Sequence, residues 1–85
     1  MTIVAGDSVK HGKPCPDPYL KAAKLLKLFP DDCIVVENAP YGIESAKRAG
    51  MYCIAVTTSL PKEYLRKADV AVNSLKEVYA LIETL

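Results

Sequence analysis

Eighty-five residues make at most one domain, and a chain near this size buries only about 60% of the surface its unfolded form exposes. Apolar residues at 51% and charged residues at 25% are an ordinary globular composition and exclude a disordered one. Eleven basic against ten acidic residues leave a net charge of +1, which excludes a broad electrostatic footprint for nucleic acid but not a local phosphate site.

Thr2-Ile3-Val4-Ala5 is a short β-prone run closed by Gly6-Asp7. It lacks the basic start of a secretory leader, and neither a signal peptide nor a membrane span is expected, since no apolar run approaches the roughly 18 residues a span needs. A loop follows from Ser8 to Pro16. Asp17 then offers an N-cap, Pro18 suits the first helical position, and Tyr19, Ala22, Leu26 and Phe29 recur at helical spacing until Pro30 stops the helix. Cys33-Ile34-Val35-Val36 is a continuous apolar run, the pattern of a strand buried on both faces.

Glu37-Asn38-Ala39-Pro40-Tyr41-Gly42 leads into a helix with Ile43, Ala46 and Ala49 on one face, Lys47 and Arg48 in the last turn and Gly50 at C′. Cys53-Ile54-Ala55-Val56 is the next strand, closed by Thr57-Thr58-Ser59. Pro61 to Lys67 reads as a short helix and Val70-Ala71-Val72 as a last short strand. Ser74 and Glu77 form a capping box that opens a helix with Leu75, Val78, Tyr79 and Ile82 on one face. This alternation predicts an α/β fold, a three-layer Rossmann-like parallel sheet with helices on both faces. Ligands of such sheets bind outside the carboxyl ends of the strands, which directs attention to Asp7–Lys13 and to Glu37-Asn38.

Cys15, Cys33 and Cys53 lie 18 and 20 residues apart. They form an odd set without the short spacing of a zinc knuckle or a redox pair. Cys33 and Cys53 sit in apolar runs, as buried inert thiols do, whereas Cys15 lies in a polar, proline-rich loop. All three fit a reducing cytosol, and a cytoplasmic location is expected.

Lys13, in the stiff turn Gly12-Lys13-Pro14, is placed to offer an ammonium to a phosphate or carboxylate at the sheet edge; the plainer alternative is a solvated loop lysine. Glu37 and Asn38 end an apolar strand just before a helix N-terminus, where hard oxygen ligands suit Mg²⁺ and a phosphate together. The alternative is that Asn38 is simply an N-cap, with Glu37 favouring the helix dipole. Asp7 is a ligand candidate that reads better as a turn-former after Gly6. His11 has no partner at ligand spacing and reads as a loop residue. Tyr41 reads as packing over the helix start. Thr57, Thr58 and Ser59 line the same edge, without a base that would make any of them a nucleophile.

Three segments in order, Gly12-Lys13-Pro14-x-Pro16-Asp17-Pro18-Tyr19, Val35-Val36-Glu37-Asn38-Ala39-Pro40-x-Gly42-Ile43 and Ala46-x-x-Ala49-Gly50-Met51, resemble one family. They are similar to the C-terminal half of the core domain of haloacid dehalogenase-like hydrolases, in the β-phosphoglucomutase and sugar-phosphate phosphatase branch. The likeness extends to Ala68-Asp69 and Ser74-Leu75. It implies a Mg²⁺-dependent phosphatase or phosphomutase acting on small phosphorylated metabolites. Lys13 matches the lysine that neutralises charge on the nucleophilic aspartate and the transferred phosphoryl group. Glu37 matches the first of two metal-binding acids, and Asn38 stands where the second is commonly aspartate, which removes a charge from the site.

The family's Asp-x-Asp nucleophile motif has no counterpart here, since the aspartates are Asp7, Asp17, Asp31, Asp32 and Asp69. The resemblance therefore implies an incomplete sheet, lacking the first core strands and the cap, over residues 1–85. Catalysis by this chain alone is not expected. The family's strand order puts two absent strands between Thr2–Ala5 and Cys33–Val36. Three outcomes are then expected of those open edges: a non-native closure of the sheet, self-association with a second copy, or dependence on the missing N-terminal half. The competing class is a non-catalytic α/β module that binds phosphate or self-associates. A flavodoxin- or response-regulator-like nucleotide fold is disfavoured, because no glycine-rich phosphate loop follows a strand.

Overall fold

A computed structural model of the chain describes residues 2–5 and 17–84, with side chains from Tyr19 onward. Among these residues a four-stranded parallel sheet runs in the order β1 (Thr2–Ala5), β2 (Cys33–Glu37), β3 (Tyr52–Val56), β4 (Val70–Val72). The helices between the strands are α1 (Asp17–Leu25), α2 (Pro40–Arg48) and α3 (Leu75–Ile82), with 3-10 turns at Pro30–Asp32 and Lys62–Leu65. The fold is α/β, an incomplete Rossmann-like sheet between helical layers. No helix of the described residues is long and apolar enough to cross a membrane.

Successive strand residues face opposite sides, which divides the core in two. Cys33, Val35, Cys53 and Ala55 face the α1/α2 layer and pack with Tyr19, Ala23, Ile43, Ala46, Met51 and Leu65. Ile34, Ile54 and Val56 face α3 and pack with Val78. Burial on both sides accounts for the uninterrupted apolar runs of β2 and β3.

β1 pairs directly with β2, Thr2 opposite Cys33 and Ala5 opposite Val36. Of the three outcomes expected for the open edges, this is closure of the sheet.

Both helices of the first layer end in the same hydrogen-bonded turn. At the end of α2, Gly50 adopts φ +78°, its N–H donates to Lys47 O at 3.1 Å, and the N–H of buried Met51 donates to Ala46 O at 3.0 Å. At the end of α1, Lys27 takes the left-handed position at φ +58°; its N–H donates to Lys24 O at 3.0 Å and that of Leu28 to Ala23 O at 2.9 Å. This is the left-handed C-terminal turn that glycine usually occupies.

The turn at Lys27, not Pro30, stops α1. The helix also begins at Asp17 itself, a residue before the start at Pro18 that an N-cap at Asp17 would give. Its inward face is Tyr19 and Ala23, with Leu28 packed behind them, while Leu26 and Phe29 point into solvent at 54% and 75% exposure. The expected face through Leu26 and Phe29 is corrected accordingly: the chain reverses before that stripe continues. In α3, Val78 is buried and Leu81 and Ile82 are half-buried, but Leu75 and Tyr79 are exposed. The eight-residue helix reaches the sheet through Val78 and its C-terminal turn. Half of the expected capping box forms: Ser74 Oγ accepts from Glu77 N, but the Glu77 carboxylate accepts from the N–H of Asn73, one residue before the N-cap.

Candidate functional site

Parallel pairing brings the carboxyl ends of β2, β3 and β4 to one edge. Glu37 closes β2 and Asn38 follows it. Thr57, Thr58 and Ser59 follow β3, and Asn73 follows β4. Cross-links join these ends. Asn38 Nδ2 donates to Ser59 Oγ at 3.1 Å, and Thr57 Oγ1 donates to Asn73 Oδ1 at 3.0 Å. The edge is a row of oxygen-bearing side chains belonging to three strands.

Glu37 is the acid of this edge, and it is 4% exposed. Burying a carboxylate is costly unless hydrogen bonds replace its water. Here the Tyr19 hydroxyl donates to Oε2 at 2.7 Å and the Asn38 N–H to Oε1 at 3.1 Å. Gly42 forms the floor: a methyl group built on it would overlap the Glu37 carboxyl group. The carboxylate thus lies against the first turn of α2, the positive end of the helix. That turn has no acid of its own, and its N-cap is Ala39, which makes no side-chain cap. The N-cap reading of Asn38 is therefore corrected, since its side chain reaches across to Ser59 instead.

Cys53 lies on β3 beneath this edge. Burial first, then the charges of Glu37 and Asp69, push its thiol up to about 12 despite Lys47. Burial and the neighbouring Asp32 likewise raise Cys33. Both are free and buried, the inert thiols expected of them. Tyr41 does not pack over the helix start. It is 67% exposed and lines, with Pro40, Ile43, Tyr64 and Arg66, a groove of about 310 Å³ between α2 and the Lys62–Leu65 turn.

The profile of the family described as haloacid dehalogenase-like hydrolase matches residues 1–56 of the chain. The chain belongs to the haloacid dehalogenase-like hydrolases. Validoxylamine A 7'-phosphate phosphatase of Streptomyces hygroscopicus subsp. limoneus is 43% identical over 76 residues, which are 89% of this chain and 36% of that protein. Hexitol phosphatase A of Escherichia coli (strain K12) is also 43% identical over 76 residues, 89% of this chain and 35% of its own length. Among solved structures, β-phosphoglucomutase from Clostridium difficile superposes with a TM-score of 0.76 at 33% identity, over 88% of this chain and 33% of that one. The likeness is to the β-phosphoglucomutase and sugar-phosphate phosphatase branch, and the chain spans about a third of the length of these relatives.

Of the residues that the haloacid dehalogenase-like pattern singles out, Glu37 and Asn38 stand together at the carboxyl edge. Lys13, Asp7 and His11 lie outside the described residues. Tyr19 went unrecognised as part of the site because its spacing reads as helix core. The signal is its hydroxyl, a polar tip among the described side chains on the inward face of α1, and a buried tyrosine hydroxyl needs a partner.

The donor chemistry fits a share of a Mg²⁺ site. The Tyr19 and Asn38 hydrogen bonds hold the Glu37 carboxylate, and a carboxylate oxygen, with two lone pairs, can accept from a donor and ligate a cation at the same time. With Nδ2 committed to Ser59, the atom Asn38 has to offer a cation is Oδ1, a hard neutral oxygen of the kind Mg²⁺ accepts. Among the described residues no group of three or more His, Cys, Asp or Glu side chains gathers to hold a metal, so a whole site needs ligands from elsewhere.

Proposed function

We propose that this chain is the C-terminal part of the core domain of a Mg²⁺-dependent phosphatase or phosphomutase acting on small phosphorylated metabolites such as sugar phosphates. The observation that carries the reading is Glu37-Asn38 at the carboxyl end of a buried parallel strand, its carboxylate seated against the start of α2. Phosphate-ester names among the relatives support the substrate class. Glu37 and Asn38 would hold Mg²⁺, which when bound supplies charge stabilisation to phosphoryl oxygens. Lys13 would place its ammonium against the phosphoryl group, as the family's motif lysine does.

The nucleophilic aspartate, the remaining metal ligands and the cap would come from an N-terminal segment outside these residues. Alone, the chain would be inactive, and a cytoplasmic setting suits its thiols. The test is reconstitution: the chain is mixed with the N-terminal part of a relative and assayed for Mg²⁺-dependent release of phosphate from an aryl phosphate. Activity present only in the mixture, and lost with Lys13→Ala or Glu37→Gln, is expected. Equal activity with Glu37→Gln would remove Glu37 from the site.

One observation favours the second reading, a non-catalytic α/β module that binds phosphate or pairs with a second copy. β1 docks on β2 within the chain, which gives the sheet a closed order of its own. The two readings part on solution state. A cooperatively folding chain that needs no second segment favours the module.

A further inference from the structure

We infer that Tyr19 is a positioning residue for Glu37, holding the carboxylate in the orientation in which it meets a cation; this deepens the proposed Mg²⁺ reading and rests on it. Tyr19 is 0% exposed and lies on the inward face of α1, 18 residues before Glu37, in a layer where phenylalanine would pack as well. What the hydroxyl adds is a donor, and it is spent on Glu37 Oε2 at 2.7 Å. The backbone N–H of Asn38 holds the other oxygen at 3.1 Å. The backbone of Gly42 closes the floor, leaving no room for a side chain there.

The Tyr19 hydroxyl, the Asn38 N–H and the Gly42 backbone each limit the rotation of this carboxyl group. A ligand held this way loses little freedom when it binds, so the orientation contributes to affinity without touching the metal. The arrangement also supplies its own reporter, since the Asn38 amide hydrogen-bonds the same carboxylate.

The experiment mixes the ¹⁵N-labelled 85-residue chain with the unlabelled N-terminal part of a relative, which brings the remaining ligands, titrates the mixture with MgCl₂ and follows the Asn38 amide by ¹H–¹⁵N NMR in wild type, Tyr19→Phe and Glu37→Gln. Wild type is expected to show a saturable shift that Glu37→Gln abolishes, and Tyr19→Phe to weaken the apparent affinity about tenfold or more while the remaining amide spectrum stays native. Absence of a saturable shift in wild type, or its persistence in Glu37→Gln, would overturn the Mg²⁺ reading of Glu37 and this inference with it. Saturation in wild type, loss in Glu37→Gln and unchanged affinity in Tyr19→Phe would overturn the inference alone. Should Tyr19→Phe unfold, the wild-type hydroxyl proton of Tyr19 decides: a signal that moves at saturating Mg²⁺ supports the positioning role, and one that stays fixed contradicts it.

Discussion

Asp69 clasps Cys53 from both sides of its peptide. The Asp69 N–H donates to Cys53 O at 3.0 Å, and the carboxylate accepts from Cys53 N at 2.7 Å. The same carboxylate takes Lys47 Nζ at 2.8 and 3.0 Å, and Lys47 also donates to Met51 O at 3.1 Å. One lysine–aspartate pair thus joins the end of α2 to the starts of β3 and β4.

This pair makes stability depend on acid pH. Burial raises the Asp69 carboxyl, but the Lys47 and Cys53 hydrogen bonds and the lysine charge outweigh it and hold it below its ordinary value of 3.8. A folded pKa below the unfolded one gives stability that is fully present above the unfolded value and is lost as pH falls through the folded value. Urea melts of wild type and Asp69→Asn are therefore expected to differ by a constant amount near neutrality. The difference should shrink only as pH drops below 3.8. With both side chains about a third exposed, solvent screens much of the pair.

The thiols give a second prediction. With Cys53 pushed up to about 12 and Cys33 also raised, neither carries appreciable thiolate at pH 8, and both are buried. In a Cys15→Ser background, a disulfide reagent such as DTNB should leave the native chain unmodified at that pH. Two thiols should react together as urea unfolds it. Prompt modification of either in the native state would contradict the burial described.

Lys27 offers a stabilising substitution. Its left-handed φ of +58° costs an L-residue about 1–2 kcal/mol, against roughly 0.4–1 kcal/mol that glycine loses through unfolded-state freedom. Lys27→Gly is expected to raise the unfolding free energy by about 0.5–1 kcal/mol, read from the urea midpoint at unchanged slope.

Asn38→Asp tests the charge at the edge. The substitution restores the second acid and should tighten Mg²⁺ binding in the NMR titration. It also sets a carboxylate beside Glu37 and removes the Nδ2 bond to Ser59, so the metal-free variant should melt at lower urea. Tighter binding with lower metal-free stability is the expected pair of results.

The strands and their two-sided burial were legible because β2 and β3 are apolar without interruption, and Glu37-Asn38 because a polar pair follows such a run directly. The helix faces were less so. Nothing in Lys27 announces a left-handed turn, so the stripe through Leu26 and Phe29 reads as core although the chain has already reversed. Contacts that depend on register across the sheet, Asn38 to Ser59 and Tyr19 to Glu37, leave no local pattern. They exist only once the parallel strands have brought their ends together and α1 has packed over β2.

The proposed function has these residues supply part of a phosphoryl-transfer site and not the whole of it. The most direct test is Mg²⁺-dependent release of phosphate from an aryl phosphate by the purified chain, wild type beside Lys13→Ala. No release above buffer in either protein is the predicted result. Release by wild type that disappears in Lys13→Ala would contradict the claim and require a nucleophile within the chain itself, with Asp7, Asp31 and Asp32 the aspartates to substitute next.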